Sequence, residues 1–117
     1  MTEQTPVPPG GAAAEERAVQ RLADDLAAAA GAVPGVARLH PGALGEIGTY
    51  LPGRRVAGVR LRGQVLRGDG TVEVHVVLAA GAGVRETAAD VHAAAARVLR
   101  AAGVHAPVAV HVQDVAA

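Results

Sequence analysis

Hydrophobic residues recur with a helical period in two segments of this chain. Within residues 15–30 they return every three or four positions, which predicts an amphipathic helix. A second stripe with the same spacing runs from Val84 to Ala102, and Gly103 is placed to end that helix. Each predicted helix has one narrow apolar face, so each must pack against another element.

A period of two predicts strands elsewhere. Four segments either alternate between apolar and polar residues or are short apolar runs, and we predict a strand in each: 36–39, 59–62, 72–79 and 107–113. The Gly68-Asp69-Gly70 sequence predicts an Asp-Gly turn that joins the second and third of these runs as a β-hairpin. Segment 41–55 is rich in glycine and proline but also holds apolar residues, which predicts a structured loop, with a short strand or turn, folded onto the core.

The predicted order of elements is α-β-(loop)-β-β-α-β, an α/β (α+β) fold. A strand, a helix and a further strand favour a right-handed crossover, so we expect residues 72–79 to pair in parallel with 107–113, directly or across one strand. The sheet is then mixed, has about four strands and carries both helices on one face, where its valines point. Residues 1–12, which include Pro8-Pro9-Gly10-Gly11, are predicted to form a flexible lead to a single domain spanning 13–117.

The amino-acid composition argues against several classes of function. The formal net charge is +0 and Tyr50 is the sole aromatic residue, so neither a basic field nor a base-stacking surface favours nucleic-acid binding. Cysteine is absent, which excludes disulfides and thiolate chemistry. The N-terminal sequence has no secretory signal pattern, and charged residues interrupt both alanine-rich segments. We therefore expect a cytoplasmic protein that does not insert into a membrane.

The sequence also argues against catalysis. Serine, cysteine and lysine are all missing, which removes the usual nucleophiles of acyl transfer and Schiff-base chemistry. Gly81-Ala82-Gly83 precedes the second helix as a dinucleotide-binding loop would, but Glu86 stands where the third glycine is needed and would repel a pyrophosphate. We predict no catalytic residue, no cofactor and no enzyme activity.

A metal site is the main alternative chemistry. His75 and His111 lie on strands predicted to be neighbours, and Glu73 offers a third ligand on the same face. A solvated polar face is the simpler explanation, because alternate outward positions of a sheet are polar in any case. The sequence prediction is therefore that no metal binds, and a small histidine-dependent metal-binding protein or enzyme remains the weaker alternative.

The polar sheet face and the one local cluster of arginines form the candidate interaction surface. The guanidinium groups of arginine can bind phosphate or an acidic partner through paired hydrogen bonds. The candidate residues are Arg54, Arg55, Arg60, Arg62, Glu73, His75, His111 and Gln113.

Five segments give the chain a family resemblance. They are VPGVARL at residues 33–39, GEI at 45–47, YLPGRRV at 50–56, VEVHVV at 72–77 and VAVHVQDV at 108–115. In this order they resemble actinobacterial members of the alkaline-shock, Gls-type envelope stress response family, over about residues 16–115.

The resemblance implies a cytoplasmic, non-enzymatic protein held at the membrane by a separate, membrane-anchored protein partner and linked to cell-envelope homeostasis under stress. We accordingly predict an adaptor or scaffold that contacts this partner through the candidate surface and can form a homo-oligomer through its remaining surface. The alternative is a free cytosolic binding module.

Overall fold

The computed structural model describes residues 9–51 and 53–116 and contains two long helices. Helix α1 spans Pro9–Gly31 and helix α2 spans Val84–Ala101. Gly103, just beyond α2, has a φ of 71°, the left-handed conformation that commonly ends a helix. The end of α2 therefore lies where the sequence predicted it.

Six strands follow from the alternating runs and the glycine-rich segment. They are β1 (Val36–Leu39), β2 (Gly48–Leu51), β3 (Arg54–Ala57), β4 (Val59–Gln64), β5 (Asp69–Leu78) and β6 (Val108–Val115). In the described residues, β1, β4, β5 and β6 form a four-stranded sheet, while β2 and β3 form a two-stranded one. The segment 41–55, predicted as a structured loop with a short strand or turn, contains β2 and the beginning of β3.

Strand β5 is the centre of the main sheet. Antiparallel β4 pairs with its first part and antiparallel β1 with its last part, so these two strands follow one another along the same edge. Strand β6 runs parallel along the other edge, with Val72 opposite Val108. The sheet is mixed, and the predicted parallel pairing is confirmed as a direct one.

The hydrophobic core lies between the helices and one face of this sheet. Val72, Val74 and Val76 of β5 are fully buried there, together with Leu26 of α1 and Val91 of α2. Strict alternation along β5 places these valines on the inner face and turns the residues between them outward. The predicted α+β architecture, with both helices on one side of a sheet of about four strands, is confirmed.

Helix α1 begins earlier than the sequence pattern indicated. We expected residues 1–12 to form a flexible lead, but the helix already starts at Pro9. Proline is well tolerated in the first turn, because the N–H it lacks would have no partner inside the helix. The alanines at 12–14 then favour helix despite the preceding glycines. Residues 1–8 of the predicted lead lie outside the described residues.

The turn between β4 and β5 also differs from the prediction. Asp69 and Gly70 are already paired in β5, opposite Gln64 and Gly63. The connection is instead a short 3₁₀ helix, Val65–Arg67, closed by Gly68 in the left-handed conformation. In this arrangement Val65 is 3% exposed and packs into the hydrophobic core.

Candidate functional site

The outer face of the main sheet gathers polar side chains around the middle of β5. Since the valines at 72, 74 and 76 point inward, Glu73 and His75 point outward. Pairing with β4 places Arg60 opposite Glu73, and pairing with β6 places His111 opposite His75. Three strands thus contribute to one cluster, whose positions are fixed by backbone hydrogen bonds.

Glu73 is the charged centre of this cluster. Its Oε2 accepts a hydrogen bond from Arg62 Nε at 2.8 Å, and its Oε1 lies 3.1 Å from His75 Nε2 and 3.7 Å from Arg60 Nη1. Burial raises the pKa of this carboxyl group, but the hydrogen bond from His75 and the charges of both arginines outweigh it. The pKa of Glu73 lies below its ordinary value, so the group is a carboxylate at neutral pH.

His75 is held from both sides of its ring. A carboxylate can only accept, so His75 Nε2 must donate to Glu73. In the neutral ring Nδ1 then accepts from the amide Nε2 of Gln113, 2.7 Å away. The His75 side chain is 7% exposed, and this burial is the main cause that lowers its pKa. The charges of His111 and Arg60 lower the pKa further, whereas Glu73 raises it. The neutral tautomer is therefore defined by its two partners.

Gln113 reaches His75 because β6 contains a bulge. Val76 pairs with Val112 and Val77 with Asp114, so Gln113 is the extra residue between two regular pairs. Bulges commonly redirect a side chain in this way. Alternation along β6 predicted the face of Gln113, whereas its contact with His75 depends on this irregularity and could not be read from the sequence.

His111 lies parallel to His75 on the outer face. The ring centroids are 4.3 Å apart and the ring planes differ by 6°, which is a stacked arrangement. His111 is exposed, whereas His75 beneath it is buried. One ligand atom from each of Glu73, His75 and His111 lies within 4.8 Å of the others. The structure thus brings together the three residues that the sequence analysis weighed as a metal site.

Two of the predicted surface residues lie apart from this cluster. Arg54 forms a two-pronged ion pair with Asp24 of α1, with N–O distances of 2.9 and 2.8 Å. Arg55 donates from Nη1 to the backbone oxygen of Gly45. The outer-face cluster therefore contains six of the eight candidates, which are Arg60, Arg62, Glu73, His75, His111 and Gln113.

The arginines at 54 and 55 have a structural role that the sequence analysis missed. The first connects the β2–β3 hairpin to α1, and the second connects it to the loop before β2. Arg60 reinforces the same loop by donating to the backbone oxygen of Glu46 at 3.2 Å. Their adjacency in sequence gave no sign that their side chains take different partners.

Comparison with known proteins assigns no family. No protein-family model, no curated protein and no solved structure matches this chain. None of the helices in residues 9–51 and 53–116 is long and apolar enough to cross a membrane.

Proposed function

We propose that this protein is a non-enzymatic adaptor that binds a protein partner through the outer face of its main sheet. The observation that carries the proposal is that polar side chains from β4, β5 and β6 converge on the face opposite the two helices. A rigid face of this kind presents a fixed pattern of charges and donors. Such a pattern gives specificity in protein recognition.

The chemistry of the face defines the partner surface that would fit it. Arg62 is 57% exposed and uses Nε to bind Glu73, which leaves its terminal nitrogens available toward solvent. The exposed imidazole of His111 adds a further polar group. A partner surface that offers carboxylates beside hydrogen-bond acceptors would match these groups. The carboxylate of Glu73 would repel a partner surface that is uniformly acidic.

The resemblance to the alkaline-shock, Gls-type envelope stress response family supports a location for this binding. It favours a membrane-anchored partner at the cytoplasmic face of the cell membrane and a role in envelope homeostasis under stress. The adaptor would reach the membrane through this partner, and self-association would use the remaining surface.

The test combines membrane fractionation with site-specific photo-crosslinking of the tagged full-length protein in its native host. A crosslinker at Thr71 or Ala109, both exposed and adjacent to the cluster on the outer face, should capture one membrane-anchored protein. The same crosslinker at exposed Ala93 on α2 should not capture it. Capture of that protein from Ala93 alone would show that the helical side, not the outer face, binds the partner.

A matched pair of double variants tests the charges. Arg60→Ala with Arg62→Ala should release the protein from the membrane fraction, whereas Arg97→Ala with Arg100→Ala on α2 removes the same charge elsewhere and should leave it bound. Equal retention of both folded variants would contradict the proposed surface. Wild-type protein that stays soluble with and without envelope stress, yet still binds a partner through the outer face, would identify a free cytosolic binding module instead.

A further inference from the structure

The spacing of two atoms in the outer-face cluster matches that of two ligands on one metal ion. His75 Nε2 and Glu73 Oε1 are 3.1 Å apart. Zinc bonds to imidazole nitrogen and carboxylate oxygen are each about 2.0–2.2 Å long, so two ligands at a tetrahedral angle are separated by about 3.3–3.4 Å. An ion could therefore replace the shared proton with an adjustment of a few tenths of an ångström.

A third ligand atom is within reach. Atoms from His75, Glu73 and His111 all lie within 4.8 Å of one another. The two imidazole rings are parallel, so their lone pairs cannot point at one ion while the stack persists. His111 is exposed and can rotate out of the stack, while buried His75 and partly buried Glu73, which Arg62 holds through Oε2, keep their positions.

We propose that Glu73, His75 and His111 bind a divalent transition-metal ion of the zinc, nickel and copper class, with water completing the coordination. Two imidazoles and one carboxylate suit these ions, whereas magnesium and calcium require mainly oxygen ligands. This proposal goes beyond the adaptor function and does not rest on it, because metal binding is measured on the purified protein without a partner.

Two neighbouring residues would support the bound ion. A metal on His75 Nε2 requires the proton to lie on Nδ1, and Gln113 can then present its amide oxygen to that N–H by turning its amide through 180°. Arg62 already binds Glu73 through Oε2, which leaves Oε1 directed at His75. Gln113 and Arg62 are thus positioning residues and not ligands.

Arg60 is the group that opposes the ion. Its Nη1 lies 3.7 Å from the same Oε1 that would bind the metal, so its positive charge would repel a divalent cation. Arg60→Gln removes this charge and should tighten binding by about threefold or more. An arginine elsewhere on the surface should have no such effect, and Arg97→Gln on α2 is the matched control.

The decisive experiment is calorimetric titration of the untagged full-length protein with Zn²⁺, in the presence of excess Mg²⁺ and Ca²⁺. We expect saturation at one equivalent. His111→Ala, at an exposed position where folding should persist, should weaken binding by about tenfold or more. His92→Ala removes an exposed histidine from α2 and should bind as the wild type does. Circular dichroism of each variant confirms that it is folded.

Electron paramagnetic resonance of the Cu²⁺-loaded protein identifies the ligands directly. Two imidazole nitrogens should couple to the copper in the wild type and one in His111→Ala. No stoichiometric heat, or a zinc affinity that is unchanged in His111→Ala, would overturn the proposal. Either result would leave the crosslinking test of the adaptor function unaffected.

Discussion

Gly58 joins β3 to β4 and is hydrogen-bonded to the backbone of His75 in the outer-face cluster. Its N–H donates to the backbone oxygen of Ile47, and its own oxygen accepts from the N–H of His75 at 2.8 Å. Its φ is 82°, a conformation that disfavours any side chain. A Cβ added there would lie 2.6 Å from the Cβ of Leu39 and 3.2 Å from the backbone oxygen of His75.

The cost of Gly58→Ala can be worked from these two features. The left-handed conformation costs a non-glycine residue about 1–2 kcal/mol. The contact with Leu39 is much closer than the ~3.5–4.0 Å at which two carbons meet, and Leu39 Cβ is attached directly to the backbone of β1, so overpacking adds about 1–3 kcal/mol. The alanine also restricts the unfolded chain, which offsets about 0.4–1 kcal/mol of this destabilisation. We expect a net loss of about 2–4 kcal/mol.

Urea and thermal unfolding, followed by circular dichroism, measure this loss against a matched control. Gly103 has a φ of 71° and nothing within 4 Å of an added Cβ. Gly103→Ala should therefore lose only the about 1 kcal/mol of stability that the left-handed conformation costs. For a chain of this length about 1 kcal/mol corresponds to roughly 4 °C in Tm, so Gly58→Ala should melt about 8–16 °C below the wild type. Equal losses in the two variants would show that the close approach of Gly58 to Leu39 contributes nothing.

Two further predictions concern the core and the surface. Leu26→Ala should lower the free energy of unfolding by about 2–5 kcal/mol, because this side chain is fully buried in the core. Leu44→Ala, at a residue that is 93% exposed, should change it by less than about 0.5 kcal/mol. Similar urea midpoints for the two variants would contradict the core assignment. The hydrogen bond from Arg54 holds the pKa of Asp24 below its ordinary value of 3.8, so the pair stabilises the folded state above that pH and loses its effect as the pH falls through the lower folded value. Asp24→Asn should therefore be slightly less stable than the wild type at pH 7 and converge with it in acid, and a difference that widens in acid would refute the ion pair.

Periodicity predicted the elements that bury a repeating face. The apolar stripe between Val84 and Ala102 became α2, and the two longest alternating runs became β5 and β6, paired in parallel as expected. In each case many residues contribute to the same pattern, so one exception does not change the outcome. The polar outer face followed from the same alternation, because residues between inward valines have no other direction to point.

Features that depend on a single long-range contact were not predictable in this way. Arg54 takes Asp24 as its partner across 30 positions of sequence, and nothing near Arg54 distinguishes it from Arg55. The turn before β5 lies earlier than predicted: local turn preferences favour Asp-Gly, whereas Asp69 and Gly70 pair with β4 and the chain turns through a 3₁₀ helix whose Val65 packs into the core.

Strand β5 links the stability of the fold to the geometry of the outer face. A slip of one residue in its pairing would turn Glu73 and His75 into the core and move its valines to the outside, which would bury a carboxylate without its partners. The hydrophobic core therefore fixes the register that sets His75 opposite His111 and Glu73 opposite Arg60. Because the cluster depends on this register, the proposed metal ion would meet ligand atoms that the sheet already holds close together, and its binding would require rotation of the exposed His111 and a turn of the Gln113 amide.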